Sequence, residues 1–156
     1  MKKKDHLKEF TRTITPLTRK YDRHRVFDDF LSMGICAYHS INIKSKCQEK
    51  DKQNEALYFN TIEKYKQQEL EIFSKLLGVL QLSIYDTPYS DLLGEFFTLH
   101  ITKGENGQFF TPEHICDLMS KLSSPEPQTG QRVLDPACGS GRTLLSFAKE
   151  NPDNYF

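Results

Sequence analysis

The chain has 156 residues, 37% hydrophobic and 12% aromatic, which is enough apolar material for one domain-sized core and argues against disorder throughout. Lysine plus arginine and aspartate plus glutamate each number 21, so the formal charge is zero. No global field draws such a protein onto nucleic acid or a membrane, and any DNA contact has to be local. No apolar run approaches the roughly twenty residues needed to cross a bilayer, and the Lys-rich start lacks the apolar centre of a signal peptide, so a soluble, cytoplasmic protein is expected.

In chain order, Lys2-Lys3-Lys4 reads as a solvated, frayed start, and Thr18 to Arg25 is the other basic concentration. Residues 26 to 40 place Val26, Phe27, Phe30, Leu31, Met33, Ile35, Cys36 and Tyr38 at a spacing close to 3.6, which predicts a helix buried over a wide face. Lys44 to Asn54 is polar and charged, a loop or a weak extension of that helix. From Glu55 to Ile84 the set Leu57, Phe59, Ile62, Tyr65, Leu70, Phe73, Leu76, Leu77 and Leu80 recurs every three or four residues, predicting one long helix or two nearly collinear ones.

Asp86-Thr87-Pro88 supplies a stop and a new start, with Thr87 as cap and Pro88 at the first helical position; Leu92, Leu93, Phe96 and Phe97 are the expected buried face of the next helix. Thr102 to Gly107 is turn-forming. Thr111-Pro112-Glu113-His114 repeats the start signal, a hydroxyl cap followed by proline and an acid, ahead of the apolar stripe Ile115, Leu118, Met119 and Leu122. Ser123 to Gln131, with Pro125, Pro127 and Gly130, is a connection. Arg132 to Leu134 then reads as a short strand, Asp135-Pro136-Ala137-Cys138-Gly139-Ser140-Gly141 as a tight Gly-rich turn, and Thr143 to Ala148 as a helix. From these patterns four to six helices are expected.

The four cysteines, at 36, 47, 116 and 138, form no C-x-x-C pair and have no histidine at metal-ligand spacing, so free thiols and no metal site are expected. His6, His24, His39, His100 and His114 have no sequence-near nucleophile or metal partner. His114 reads as a surface residue. Cys138, inside the Gly-rich turn, serves there by small size rather than as a nucleophile.

Two segments carry chemistry: Gly107-Gln108-Phe109-Phe110-Thr111-Pro112 and Asp135 to Gly141. Glycines at 139 and 141 let backbone approach a ligand closely, and a following helix presents free N–H groups and the positive end of its dipole. Each segment alone is ambiguous, since a Thr-Pro start is usually a cap and a G-x-G turn after a strand occurs in many nucleotide sites. Together, as GQFFTP, a helix, and VLDPACGSGRTLL, they resemble the adenine-N6 DNA methyltransferases, particularly the methylase subunits of type I restriction-modification systems. The resemblance covers roughly residues 92 to 156.

It implies an S-adenosylmethionine site lined by Phe109, Phe110, Thr111, Pro112, Asp135, Pro136, Ala137, Cys138, Gly139 and Gly141. The cofactor's carboxylate suits the N-terminus of a helix capped by Thr111, and its ammonium suits Asp135. It also implies a mainly α chain: a helical N-terminal domain over 1–103, followed over 104–156 by the first strand, turn and helix of an incomplete Rossmann-like methyltransferase domain. DNA is the family's substrate. The partner implied for the intact family is DNA, and either a specificity subunit or self-association through exposed apolar faces at Val133, Leu134, Leu144, Leu145 and Phe147 is expected besides.

The family's catalytic tetrapeptide, Asn or Asp followed by Pro-Pro and an aromatic residue, holds the extruded adenine. It does not occur in these 156 residues. Asn151-Pro152-Asp153-Asn154 lacks the second proline, and its natural reading is the loop into a second strand that starts at Tyr155 and Phe156. No catalytic residue is therefore assigned, and the chain alone is expected to be catalytically incomplete, with a weak or partial cofactor site. Two alternatives remain open: a non-enzymatic helical module docking on a partner subunit, and a different Rossmann-like enzyme holding a nucleotide. The latter lacks a third glycine and has Arg142-Thr143 where a phosphate-binding lysine would stand.

Overall fold

The computed structural model describes the backbone of residues 3–42, 48–102, 110–124, 126 and 129–156, and the side chains of those between 5 and 39 and from 51 onward. Helix dominates the described residues. The helices are α1 (Lys3–Thr18), α2 (Arg23–Asn42), α3 (Gln48–Ile62), α4 (Gln67–Asp86), α5 (Leu92–Phe96) with a π-helical continuation over Phe97–Thr102, α6 (Glu113–Ser123) and α7 (Arg142–Glu150). Seven α-helices among the described residues exceed the four to six expected, α1 being an addition that the sequence patterns do not predict. Two compact units are present, one formed by Glu9–Val79 and the other by Met1–Lys8 with Leu80–Phe156.

In the unit of residues 9–79, apolar residues at helical spacing make the core. Phe10, Ile14 and Leu17 of α1, Val26, Phe27, Phe30, Met33 and Cys36 of α2, and Phe73 and Leu76 of α4 are all buried. Phe10 meets Phe30 edge-on at 5.4 Å, and Tyr65 meets both Tyr21 and Phe73 at 5.3 and 4.8 Å. Asp29 is the polar centre of this unit: it is buried, and accepts from the Tyr65 hydroxyl at 2.7 Å and the Lys64 ammonium at 2.8 Å. α2 packs on α3, where Asn54 Nδ2 donates to the Cys36 carbonyl at 3.2 Å.

Of the one long or two nearly collinear helices expected over Glu55–Ile84, two form, and α3 begins already at Gln48, within the stretch Lys44–Asn54 expected as a loop or a weak extension of α2; residues 43–47 lie outside the described set. The break at 63–66 has two causes. Lys64 and Tyr65 turn toward Asp29, and the Glu69 carboxylate accepts the Lys66 N–H at 2.8 Å, which caps α4. Leu57 and Phe59, members of the expected apolar stripe, are half exposed at 50% and 54%.

In the other unit, buried His6 bonds Asp86 at 2.9 Å. α5 starts at Leu92, and its cap is Asp91, which accepts the Gly94 N–H at 2.7 Å; the Thr87 hydroxyl instead closes α4 by donating to the Ser83 carbonyl. Leu92 and Phe96 are buried as expected, whereas Leu93 and Phe97 are half-buried. α6 packs on α7, and an exposed ion pair joins them, Lys149 Nζ to Asp117 at 3.0 Å.

The stripe Ile115, Leu118, Met119 and Leu122 is exposed, with Leu122 at 72%, and the buried residues of α6 are Cys116 and Ser120. Small residues allow close approach: Cys116 meets Thr143 at 3.7 Å and Ser146 is the buried residue of α7. Of the expected exposed apolar set, Leu134 is 87% exposed, while Val133, Leu144, Leu145 and Phe147 are half-buried.

No strand forms among the described residues. Arg132 and Tyr155 make one parallel bridge, closed by Val133 N–H to the Tyr155 carbonyl and Tyr155 N–H to the Gln131 carbonyl, both at 2.8 Å. The fold is thus mainly α, as expected.

Candidate functional site

The Gly-rich turn is set by its own residues. One carboxylate oxygen of Asp135 accepts the Ala137 N–H at 3.0 Å, the Gly141 N–H donates to the Cys138 carbonyl at 2.7 Å, and Gly139 and Gly141 hold φ of +54° and +80°. Positive φ at both positions is inexpensive only for glycine. α7 starts directly after, with Gly141 as an N-cap that offers no side-chain bond, so the first N–H groups of the helix are left to other partners. Pro136, Ala137, Cys138 and Gly139 are exposed, and Asp135 is half-buried.

Phe110 joins this turn to the other sequence segment. A Cβ on Gly139 would lie 3.3 Å from its ring, the Phe97 ring centroid lies 5.6 Å from its own, and the Arg142 guanidinium stands 6.0 Å from its centroid. Thr111 and Pro112 are exposed beside it, and Phe109 lies outside the described residues, as do Gly107 and Gln108.

The cap of α6 differs from expectation. Pro112 is the N-cap and no side chain bonds the helix start, so the Thr111 hydroxyl does not cap it. Thr111 contributes through its carbonyl, which accepts from Arg142 Nη1 at 3.0 Å and from the Cys116 thiol at 3.7 Å. No side chain caps the start of α6, and Thr111 beside it is exposed. His114 is exposed, as expected.

A cleft of about 560 Å³ opens beside these residues, lined by Phe110, Pro112 and Arg142 from the site and by Glu95, Thr98, Leu99, Glu113, His114 and Leu7. The Gly-rich turn itself does not line the cleft. Phe110 is the shared wall.

Asp91 is not singled out by the sequence patterns, which give Phe97 only as a core residue and Ser140 only as a member of the Gly-rich turn. Arg142 stands out in the sequence only as the residue in place of a phosphate-binding lysine. A signal exists, because an arginine in the first turn of a helix opposes the helix dipole and calls for a carboxylate partner. Among the described residues no group of three or more His, Cys, Asp or Glu is placed to hold a metal ion, and no helix is long and apolar enough to cross a membrane.

A family model described as N-6 DNA Methylase matches residues 85–154. The chain is 32% identical over 90 residues to the methylase subunit of the type I restriction enzyme MjaVIII of Methanocaldococcus jannaschii, covering 53% of this chain and 15% of that protein. It is 42% identical over 43 residues to the MpnII methylase subunit of Mycoplasma pneumoniae, covering 28% and 8%. To the EcoEI methylase subunit of Escherichia coli it is 35% identical over 52 residues, covering 33% and 10%. The matched stretches thus span about a seventh or less of these relatives. No solved structure matches the chain. Residues 85–154 thus match the N-6 DNA Methylase family model, and parts of the chain are similar to the methylase subunits of type I restriction enzymes.

Proposed function

We propose that this chain forms part of an S-adenosylmethionine-dependent, adenine-specific DNA methyltransferase of a restriction-modification system, and that Phe109 to Pro112 with Asp135 to Gly141 hold one end of the cofactor. The observation that carries the reading is the contact of the Phe110 ring with Gly139, which brings together two segments separated by more than twenty residues. Bound, the cofactor supplies a methyl group activated by its sulfonium.

The residues fit such a ligand. Asp135 engages one oxygen within the turn and keeps the other for an ammonium group. The uncapped start of α6 and the Thr111 hydroxyl suit a carboxylate, while Gly139, lacking a Cβ, lets the Phe110 ring close against the turn. The parallel bridge of Arg132 with Tyr155 supports reading 132–135 and 155–156 as the beginnings of neighbouring parallel strands in a Rossmann-like sheet, with α7 as the crossover between them.

The reaction proposed is methyl transfer to the exocyclic amine of an adenine extruded from DNA. The tetrapeptide that the resemblance associates with holding adenine does not occur in the 156 residues, so binding without methyl transfer is the outcome expected of this chain alone. Titration calorimetry with S-adenosylmethionine tests the reading: saturable binding lost in Asp135→Ala supports it, and absence of saturable binding to the parent chain overturns it. A second reading, a helical module docking on a partner subunit, draws on the exposed stripe Ile115, Leu118, Met119 and Leu122. That module would bind its partner with or without Asp135.

A further inference from the structure

The geometry assigns Asp91 as a positioning residue that clamps the two segments of the proposed cofactor site to each other. Its carboxylate is buried and fully engaged. Oδ1 accepts the Gly94 N–H at 2.7 Å and so caps α5, while Oδ2 accepts from the Ser140 hydroxyl at 2.7 Å and from Arg142 Nε at 3.1 Å. Arg142 continues the chain of contacts, donating through Nη1 to the Thr111 carbonyl at 3.0 Å. One carboxylate therefore holds the Gly-rich turn directly and the Phe110–Pro112 segment through one guanidinium.

Two features mark this as a built joint. The carboxylate lies over Gly94 so closely that a Cβ there would come within 2.0 Å of Oδ2, so Asp91-x-x-Gly94 works as a pair and a side chain at 94 would displace the clamp. Both partners of the ion pair are largely out of water, with side chains 8% and 13% exposed, and a charge-assisted bond in such surroundings is directional and little screened. The Arg142 guanidinium also stands over the Phe110 ring, so the same cation fixes that aromatic wall.

Asp91→Asn separates clamping from capping. The amide oxygen still accepts the Gly94 N–H, but the amide NH₂ then faces the donors of Arg142 and cannot accept from them. Because this assignment rests on the cofactor reading, two measurements are needed. In calorimetry the variant is expected to bind S-adenosylmethionine about tenfold more weakly, the weight of one charge-assisted bond, with helix content by circular dichroism unchanged. In hydrogen exchange, amides of 111–116 and of 139–145 are expected to exchange faster together while those of residues 9–79 do not. Ser140→Ala, which removes only the tether to the turn, is expected to accelerate 139–145 alone and serves if Asp91→Asn is too unstable to study.

If the parent chain binds no S-adenosylmethionine, the cofactor reading falls, and exchange alone decides the clamp. Coupled acceleration of both segments in Asp91→Asn, or of 139–145 in Ser140→Ala, upholds it. Unchanged exchange, or cofactor affinity in Asp91→Asn within about twofold of the parent, overturns it.

Discussion

The ring of Phe110 lies where a Cβ on Gly139 would come within 3.3 Å, so an aromatic side chain occupies the space that a larger residue in the Gly-rich turn would need. Gly139 also holds φ of +54°, a conformation disfavoured for residues with a Cβ. Both effects oppose substitution. Gly139→Ala is expected to destabilise the unit containing residues 80–156 by about 1–2 kcal/mol and to weaken cofactor binding. Thermal unfolding and calorimetry on the same variant check the two outcomes.

Gly141→Ala tests the backbone effect by itself. Gly141 holds φ of +80°, and a Cβ there would meet nothing within 4 Å, so the cost is conformational only. A loss of stability smaller than that of Gly139→Ala is expected, of about 1 kcal/mol. Equal losses would indicate that the Phe110 contact adds nothing.

Tyr65→Phe removes a buried hydroxyl that donates to Asp29 at 2.7 Å, while leaving Lys64 on the same carboxylate. A bond to a charged acceptor contributes about 1.5–3 kcal/mol, and urea unfolding is expected to show a loss in that range. Burial, reinforced by the Asp29 carboxylate, pushes the Tyr65 hydroxyl well above its ordinary range. Its phenolate signal is therefore expected to be absent in an alkaline titration of the native protein where exposed tyrosines already ionise.

The Lys20 side chain, then the Lys66 N–H and the Tyr21 hydroxyl, hold the Glu69 carboxyl at about 2, against an ordinary 4.5. A folded-state value below the unfolded one stabilises the protein fully above the unfolded value, and that contribution is lost as pH falls toward about 2. Stability measured between about pH 5 and pH 2 is expected to fall less steeply in Glu69→Gln. An unchanged slope would remove Glu69 from the acid response.

Cys138 is exposed in the Gly-rich turn, whereas Cys36 and Cys116 are buried and burial pushes the Cys36 thiol up. In a Cys47→Ser background one thiol is expected to react quickly with a disulfide reagent and two slowly. On the cofactor reading, S-adenosylmethionine slows the fast one. Reaction at Cys138 that is indifferent to saturating cofactor would place the ligand elsewhere.

Periodicity made α2 legible, because Val26, Phe27, Phe30, Met33 and Cys36 keep to one face and are buried there. It misled at Leu57 and Phe59, which share the spacing but not the face, since a contact thirty-five residues away, Lys64 to Asp29, turns the chain at 63–66. In α6 the apolar stripe points outward because the α6–α7 contact is made by Cys116, Ser120 and Ser146, whose small size sets the distance between the helices. Hydrophobic spacing cannot report such a contact.

What the sequence determined by itself is the chemistry of the turn from Asp135 to Gly141: glycines where φ is positive, an acid that closes its own loop, and a helix starting at once afterwards. These are local effects, decided within the turn. Which side chains assemble around that turn was decided only by tertiary structure. Asp91 lies some fifty residues from Ser140 and Arg142, and its carboxylate reaches them because α5, capped by the same residue, is packed beside the turn. A carboxylate that caps a helix reads as local in sequence; folding gives its second oxygen to the site.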